Sequence, residues 1–244
     1  MKRVFWGMSS SQTATLGIQL RSTGFYVLSV LCFLPFLLCF PVLWMPRRFL
    51  VGLGCRYLRL QMWLLRFVCG VRHEILGREN LPAAPFLIAS QHESSWETLF
   101  FQELLPDPVM FAKKEVFGYP IVGMVAQGVG HIPVDRGGSV DGMREALDKG
   151  VAVVRGGRNL LIFPAGTRRR HDKGRIQSGI GVLYAKAQVP VVPILLNSGG
   201  CWPSGTLLKY PGTITVRVLP PIPPGLDRQS FLTRLSEDMA PDHP

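Results

Sequence analysis

His92 and Glu97 stand five positions apart, in Ser90-Gln91-His92-Glu93-Ser94-Ser95-Trp96-Glu97-Thr98, where a short apolar run gives way to a polar turn. Residues 86–89 read as a strand, and 94–104 read as a helix that begins just after the histidine. On a continuous helix, residues five apart diverge by roughly 140° around the axis, so His92 can meet Glu97 only from the loop ahead of it. In that arrangement Glu97 would accept a hydrogen bond from one imidazole nitrogen, fix the tautomer, and leave the other nitrogen to take a proton from a hydroxyl. The same residues fit a Ser-x-x-Glu capping box, in which Glu97 only reaches back to a backbone N–H. The pattern alone leaves both readings open.

Three further stretches carry chemistry. Ala112-Lys113-Lys114-Glu115 is followed by Gly130-His131-Ile132-Pro133-Val134-Asp135-Arg136, a strand whose end offers a guanidinium to a phosphate. An Asp135–Arg136 surface ion pair would look the same. In Phe163-Pro164-Ala165-Gly166-Thr167-Arg168 an apolar strand runs into a glycine turn, with Arg169, Arg170, His171, Lys173 and Arg175 behind it. Backbone can approach a ligand closely there, and an anionic head group suits the charge, although a solvated charge run is the plainer alternative. Val189-Pro190-Val191-Val192-Pro193-Ile194 is an apolar strand bracketed by prolines. The chain has neither a Gly-x-Ser-x-Gly elbow for a serine nucleophile nor a glycine-rich nucleotide loop. What remains is a lone base acting on a bound hydroxyl.

The elements that must hold these groups alternate. Strands are predicted at 71–75, 86–89, 109–112, 131–134, 159–163, 190–195 and 213–219, which points to an α/β domain with a mixed sheet flanked by helices. Val140, Met143, Leu147, Val151 and Val154 share one helical face that ends at Gly156-Gly157. Ile180, Leu183, Tyr184 and Ala187 mark a shorter helix, and residues 226–239 a closing one.

Charge divides the chain. The net charge is +11, yet nine basic residues and no acidic one lie within residues 1–72, so the remainder is nearly balanced. Residues 22–46 form a 25-residue run without a charge, long enough at about 1.5 Å per residue to cross a hydrocarbon core. Its late start and the lack of a small-residue cleavage site speak against a signal peptide. Pro35 and Pro41 allow a tilted or re-entrant hairpin in place of a full span. Beyond it, Arg56, Arg59 and Arg66 fall near one helical face and Leu58, Met62, Leu65 and Cys69 on another, the pattern of an interfacial helix on anionic lipid. A packed helix with a solvated arginine face is the alternative. These features predict a membrane-embedded helical segment over 1–70, a further domain over 71–244, and placement of that domain on the cytoplasmic side of the membrane. The five cysteines, odd in number and without metal-ligand spacing, suggest neither a disulfide framework nor a zinc site. With the charge confined to the lipid-like segment, nucleic acid is not an expected partner.

Taken in order, these blocks resemble the 1-acylglycerol-3-phosphate acyltransferases, also called lysophosphatidic acid acyltransferases, from residue 71 onward. That family has a histidine followed five positions later by an acid, a Gly-x-x-x-x-x-Arg strand end, a Phe-Pro-Glu-Gly-Thr-Arg turn and a proline-bracketed strand. They correspond here to His92 and Glu97, to residues 130–136, to residues 163–168 and to residues 189–194. The resemblance implies transfer of an acyl group from a coenzyme A or acyl-carrier-protein thioester to the sn-2 hydroxyl of lysophosphatidic acid, with no metal or other cofactor. His92 would be the base and Glu97 its partner. Lys113, Arg136, Gly166, Thr167 and Arg168 would hold the phosphate. The sequence departs from the family twice: Glu97 stands in place of an aspartate, and Ala165 in place of the glutamate of the third block. The second departure leaves other lysolipids open as acceptors, and a non-catalytic lipid-binding protein is the reading from a different class.

Overall fold

The computed structural model describes residues 15–38, 46–105, 107–135, 137–168 and 176–240. Seven strands form one sheet: β1 (Val71–Leu76), β2 (Leu87–Ser90), β3 (Val109–Lys113), β4 (Ile132–Val134), β5 (Leu160–Ile162), β6 (Val191–Leu196) and β7 (Gly212–Val218). Their order across the sheet is β1-β7-β6-β2-β5-β3-β4. The strands from β6 to β4 run parallel, while β7 pairs antiparallel with β6 and parallel with β1. The mixed sheet and its seven predicted strands are therefore present, each within a residue or two of its expected bounds.

Two apolar layers cover the sheet. On β2, Phe86 and Ile88 join one core and Leu87 and Ala89 the other, the period-2 alternation of a strand buried on both faces. The first face carries α1 (Leu16–Leu38), α2 (Arg47–Val68) and α3 (Trp96–Leu104). The second carries α5 (Val140–Arg155), α6 (Gly179–Ala187) and α7 (Arg228–Asp238), and α4 (Val122–Gly128) leads into β4. Along α5 the predicted apolar face is buried only at Leu147, Val151 and Val154; Val140 and Met143, near the end capped by the Ser139 hydroxyl, are exposed.

Pro193 lies inside the inner strand β6, a position usually closed to proline. Its carbonyl still accepts from Leu219 N–H (3.0 Å), just beyond the end of β7 at Val218.

α1 and α2 form an antiparallel hairpin laid along the domain. The Cys69 thiol meets the Arg21 carbonyl, Ser29 donates to Gln61 (2.7 Å), and Phe33 packs edge-on against Tyr57 (5.6 Å). Both ends of α2 are fastened. Met62, Leu65 and Cys69 enter the sheet's core, and Arg47 joins Arg158 on the Asp107 carboxylate while donating to the Val129 carbonyl. By length and composition α1 could cross a membrane, and residues 16–35 have a mean hydropathy of 1.3. The predicted uncharged run begins inside α1, and its residues 39–45 lie outside the described part of the chain.

Candidate active site

Strand order decides what meets His92. The loop after β2 carries His92, and β2 lies between β6 and β5. Parallel neighbours place their C-terminal ends on one edge, where α/β sheets bind ligands. The turn after β5 brings Phe163 and Arg168 to one side of the imidazole, and the turn after β6 brings Ser198 beneath Glu97.

His92 Nδ1 lies 3.4 Å from Glu97 Oε2, so the loop histidine does reach the helical carboxylate. The ring stacks on Phe163 with centroids 3.9 Å apart and planes 19° from parallel. Arg168 Nε donates to His92 Nε2 at 2.8 Å, and Arg168 Nη1 donates to the Ser95 hydroxyl at 3.0 Å. A guanidinium cannot accept, so the Arg168 contact is a hydrogen bond only with Nε2 unprotonated, the proton then being on the Nδ1 that faces Glu97. The side chain of Glu97 is completely buried.

Glu97 serves both readings at once. Its Oε1 accepts the N–H groups of Glu93 and Ser94, each at 3.1 Å, together with the Ser198 hydroxyl, and Oε2 accepts Ser94 N–H at 3.1 Å. Ser94 Oγ in turn accepts from Trp96 N–H at 2.9 Å, which completes the reciprocal cap at the start of α3. Two of the three backbone bonds fall on Oε1, and Oε2 both accepts Ser94 N–H and faces the imidazole. Capping and orienting are one geometry here.

A second buried carboxylate fastens the neighbouring turn. Glu93 Oε2 accepts Gly199 N–H at 2.9 Å, and a Cβ at Gly199 would stand 2.8 Å from that oxygen. Only glycine admits this approach. Ser198, Phe163, Glu93 and Ser95 were not assigned roles from sequence, although Phe163 opens the third block and Ser198-Gly199-Gly200 directly follows the proline-bracketed strand.

Of the predicted phosphate ligands, Gly166, Thr167 and Arg168 belong to the turn beside His92, with Gly166 in the left-handed region (φ 68°) that the turn requires. Lys113 is exposed at the end of β3, one strand beyond β5 on the same sheet edge. Arg136 lies outside the described residues. Its neighbour Asp135 faces Lys114 across 3.7 Å and accepts Gly137 N–H. Ala165 is half-buried in the turn, with a methyl where the family has a carboxylate. Among the described residues no group of three or more His, Cys, Asp or Glu side chains is placed to hold a metal ion.

The strand ends thus bring together a histidine, a buried carboxylate and an arginine that contacts the histidine. The chain belongs to the acyltransferase family, whose profile matches residues 72–197. Among its relatives is the 1-acyl-sn-glycerol-3-phosphate acyltransferase of Pseudomonas aeruginosa, 35% identical over 174 residues that cover 71% of this chain and 66% of the relative. The human 1-acyl-sn-glycerol-3-phosphate acyltransferase alpha is 30% identical over 173 residues, 69% of this chain and 61% of its own. The chain thus spans somewhat under two thirds of the length of these relatives. The fold is also that of the crystal structure of the 1-acyl-sn-glycerophosphate (LPA) acyltransferase PlsC from Thermotoga maritima, with a TM-score of 0.72 over 91% of this chain and 92% of that one, at 18% identity.

Proposed function

We propose that the protein transfers an acyl group from an acyl-CoA or acyl-carrier-protein thioester to the sn-2 hydroxyl of lysophosphatidic acid, producing phosphatidic acid for phospholipid synthesis. The observation that carries this reading is the His92 imidazole held between Glu97 and Arg168 on the fold of this family. His92 Nε2 takes the proton of the acceptor hydroxyl as its oxygen attacks the thioester carbonyl carbon. The tetrahedral intermediate collapses, the thiolate leaves, and the imidazolium returns the proton to the sulfur. Glu97 stays ionised and stabilises the imidazolium. Arg168, the Gly166-Thr167 turn, Lys113 and Arg136 supply the donors that a phosphate dianion needs. The route calls on a base and charged donors, and on no metal or organic cofactor.

The hairpin of α1 and α2 would rest on the cytoplasmic face of the membrane, which delivers the lysolipid to the sheet edge. Ala165 favours a second reading, in which the acceptor is a lysolipid with a different head group. Acyl transfer by the purified chain in detergent, from acyl-CoA and from acyl-carrier protein, to lysophosphatidic acid and a panel of other lysolipids separates the two. Phosphatidic acid as the fastest-formed product supports the first reading; another lysolipid as the preferred acceptor replaces it with the second.

A further inference from the structure

Arg168 occupies the atom that the reaction needs. Its Nε–H points at the His92 Nε2 lone pair from 2.8 Å, and its Nη1 is tethered to Ser95 Oγ at 3.0 Å. His92 Nδ1 is turned to Glu97, so Nε2 is the nitrogen left to act on an acceptor. A lone pair that accepts from a guanidinium cannot also receive a proton. Once protonated, moreover, the imidazolium would face a like charge at hydrogen-bond distance. If His92 is the base, Arg168 must leave Nε2 before the proton moves.

A phosphate monoester is the ligand chemistry suited to draw it off. A dianion binds the guanidinium through charge-assisted, forked hydrogen bonds that a neutral imidazole and a serine hydroxyl cannot match. We propose that Arg168 is a specificity-determining residue that caps the base until the acceptor's phosphate arrives and then releases it. This rests on the reading of His92 as the base. Before the acceptor binds, water meets a capped imidazole, and the thioester is spared hydrolysis. An acceptor without an anionic head group fails in kcat as well as in KM, because the base stays covered.

The test is acceptor-independent release of CoA thiol from acyl-CoA by the full chain in detergent. Arg168→Ala is expected to raise this hydrolysis at least about tenfold, the worth of one charge-assisted hydrogen bond, while transfer to lysophosphatidic acid falls. Water's oxygen forms the new bond to the carbonyl carbon, its proton passes to Nε2, and the thiolate leaves with that proton. The rise must therefore vanish in Arg168→Ala/His92→Ala. Dodecyl phosphate, which has the anion but no acceptor hydroxyl, is expected to stimulate hydrolysis by the parent and not by Arg168→Ala. Ser95→Ala, which frees the second tether, should change hydrolysis in the same direction by a smaller factor and keeps the test open if Arg168→Ala does not fold. Unchanged hydrolysis in the folded variants, or no stimulation of the parent by dodecyl phosphate, overturns the capping role. Undiminished transfer by His92→Ala would instead remove the base reading beneath it.

Discussion

Ser198 has no reach to a substrate through its own chemistry, yet its hydroxyl helps decide where Glu97 points. It is completely buried and shares Oε1 with two backbone donors, while Oε2, which also accepts Ser94 N–H, faces His92. Ser198→Ala should lower kcat by about tenfold, as expected for a hydrogen bond to a charged group, and leave KM within about twofold. Steady-state kinetics on the folded variant check this. An equal loss in a Glu97→Asp background, where the shorter carboxylate is withdrawn from Ser198, would assign the effect to packing. His92, Glu97 and Arg168 were legible in the sequence because their residue types and order are themselves the signal. Ser198 and Phe163 were not, because their roles depend on β2 lying between β6 and β5, and nothing local to residues 163 or 198 states the strand order.

At the level of elements, a buried lysine joins α1 to the domain. Lys209 is fully buried, its Nζ bonded to the Tyr26 hydroxyl and to the Leu207 carbonyl (2.8 Å), and it lies 4.0 Å from the Trp202 ring centroid and 4.2 Å from that of Tyr26. Its backbone N–H donates to Ser22 of α1. Burial pushes the Lys209 pKa down from 10.5 to about 8, against a weaker opposing pull from Cys69. The unfolded chain therefore binds more protons than the folded one between these values, and this lysine's contribution to stability rises with pH from about 8. Cys69 and Cys201, pushed up from 9.0 to about 11 by burial, act in the opposite direction only above about pH 9. Denaturation of the parent should thus shift toward higher stability between about pH 8 and 10 relative to Lys209→Met; parallel curves would contradict the lowered Lys209 pKa. The strands were legible as short apolar runs and α6 as a periodic face, while the apolar face of α2, Met62, Leu65 and Cys69, packs into the sheet's core, as the packed-helix alternative has it, and not onto lipid. The Lys209 cage was not legible, because Ser22 and Lys209 are brought together only by the tertiary docking of α1.

Across the whole molecule, the outer face of α2 combines arginines with large exposed apolar side chains. Arg48, Arg56, Arg59 and Arg66 alternate there with exposed Phe49, Trp63 and Phe67, and Arg48 and Arg66 lie over the rings of Phe49 and Phe67. Leu16, Leu20, Val27, Val30, Leu31 and Leu34 extend an exposed apolar face along α1. Because α2 is fastened to the domain at both ends, the hairpin suits lying in the interface with the sheet edge held beside it. At about 1 kcal/mol per basic residue, Arg56→Ser/Arg59→Ser/Arg66→Ser should weaken binding to anionic vesicles by about a hundredfold at low salt. Vesicle flotation measures this, and Trp63→Ser should weaken binding to neutral vesicles as well. Binding that is indifferent to both changes and to salt would exclude this face. The split between a basic, apolar N-terminal segment and a balanced remainder was visible in the sequence. The way the hairpin folds back along the domain follows from the Arg47–Asp107–Arg158 cluster, which joins three segments distant in the chain.

The central claim is that His92 removes the proton from the acceptor hydroxyl. Its most direct test is the rate of phosphatidic acid formation from saturating acyl-CoA and lysophosphatidic acid by the parent and by folded His92→Ala. A loss of at least about a hundredfold in kcat is expected for removal of a general base. A kcat within about threefold of the parent, well below the share of any general base, would contradict the account and leave a lipid-binding protein on an acyltransferase fold.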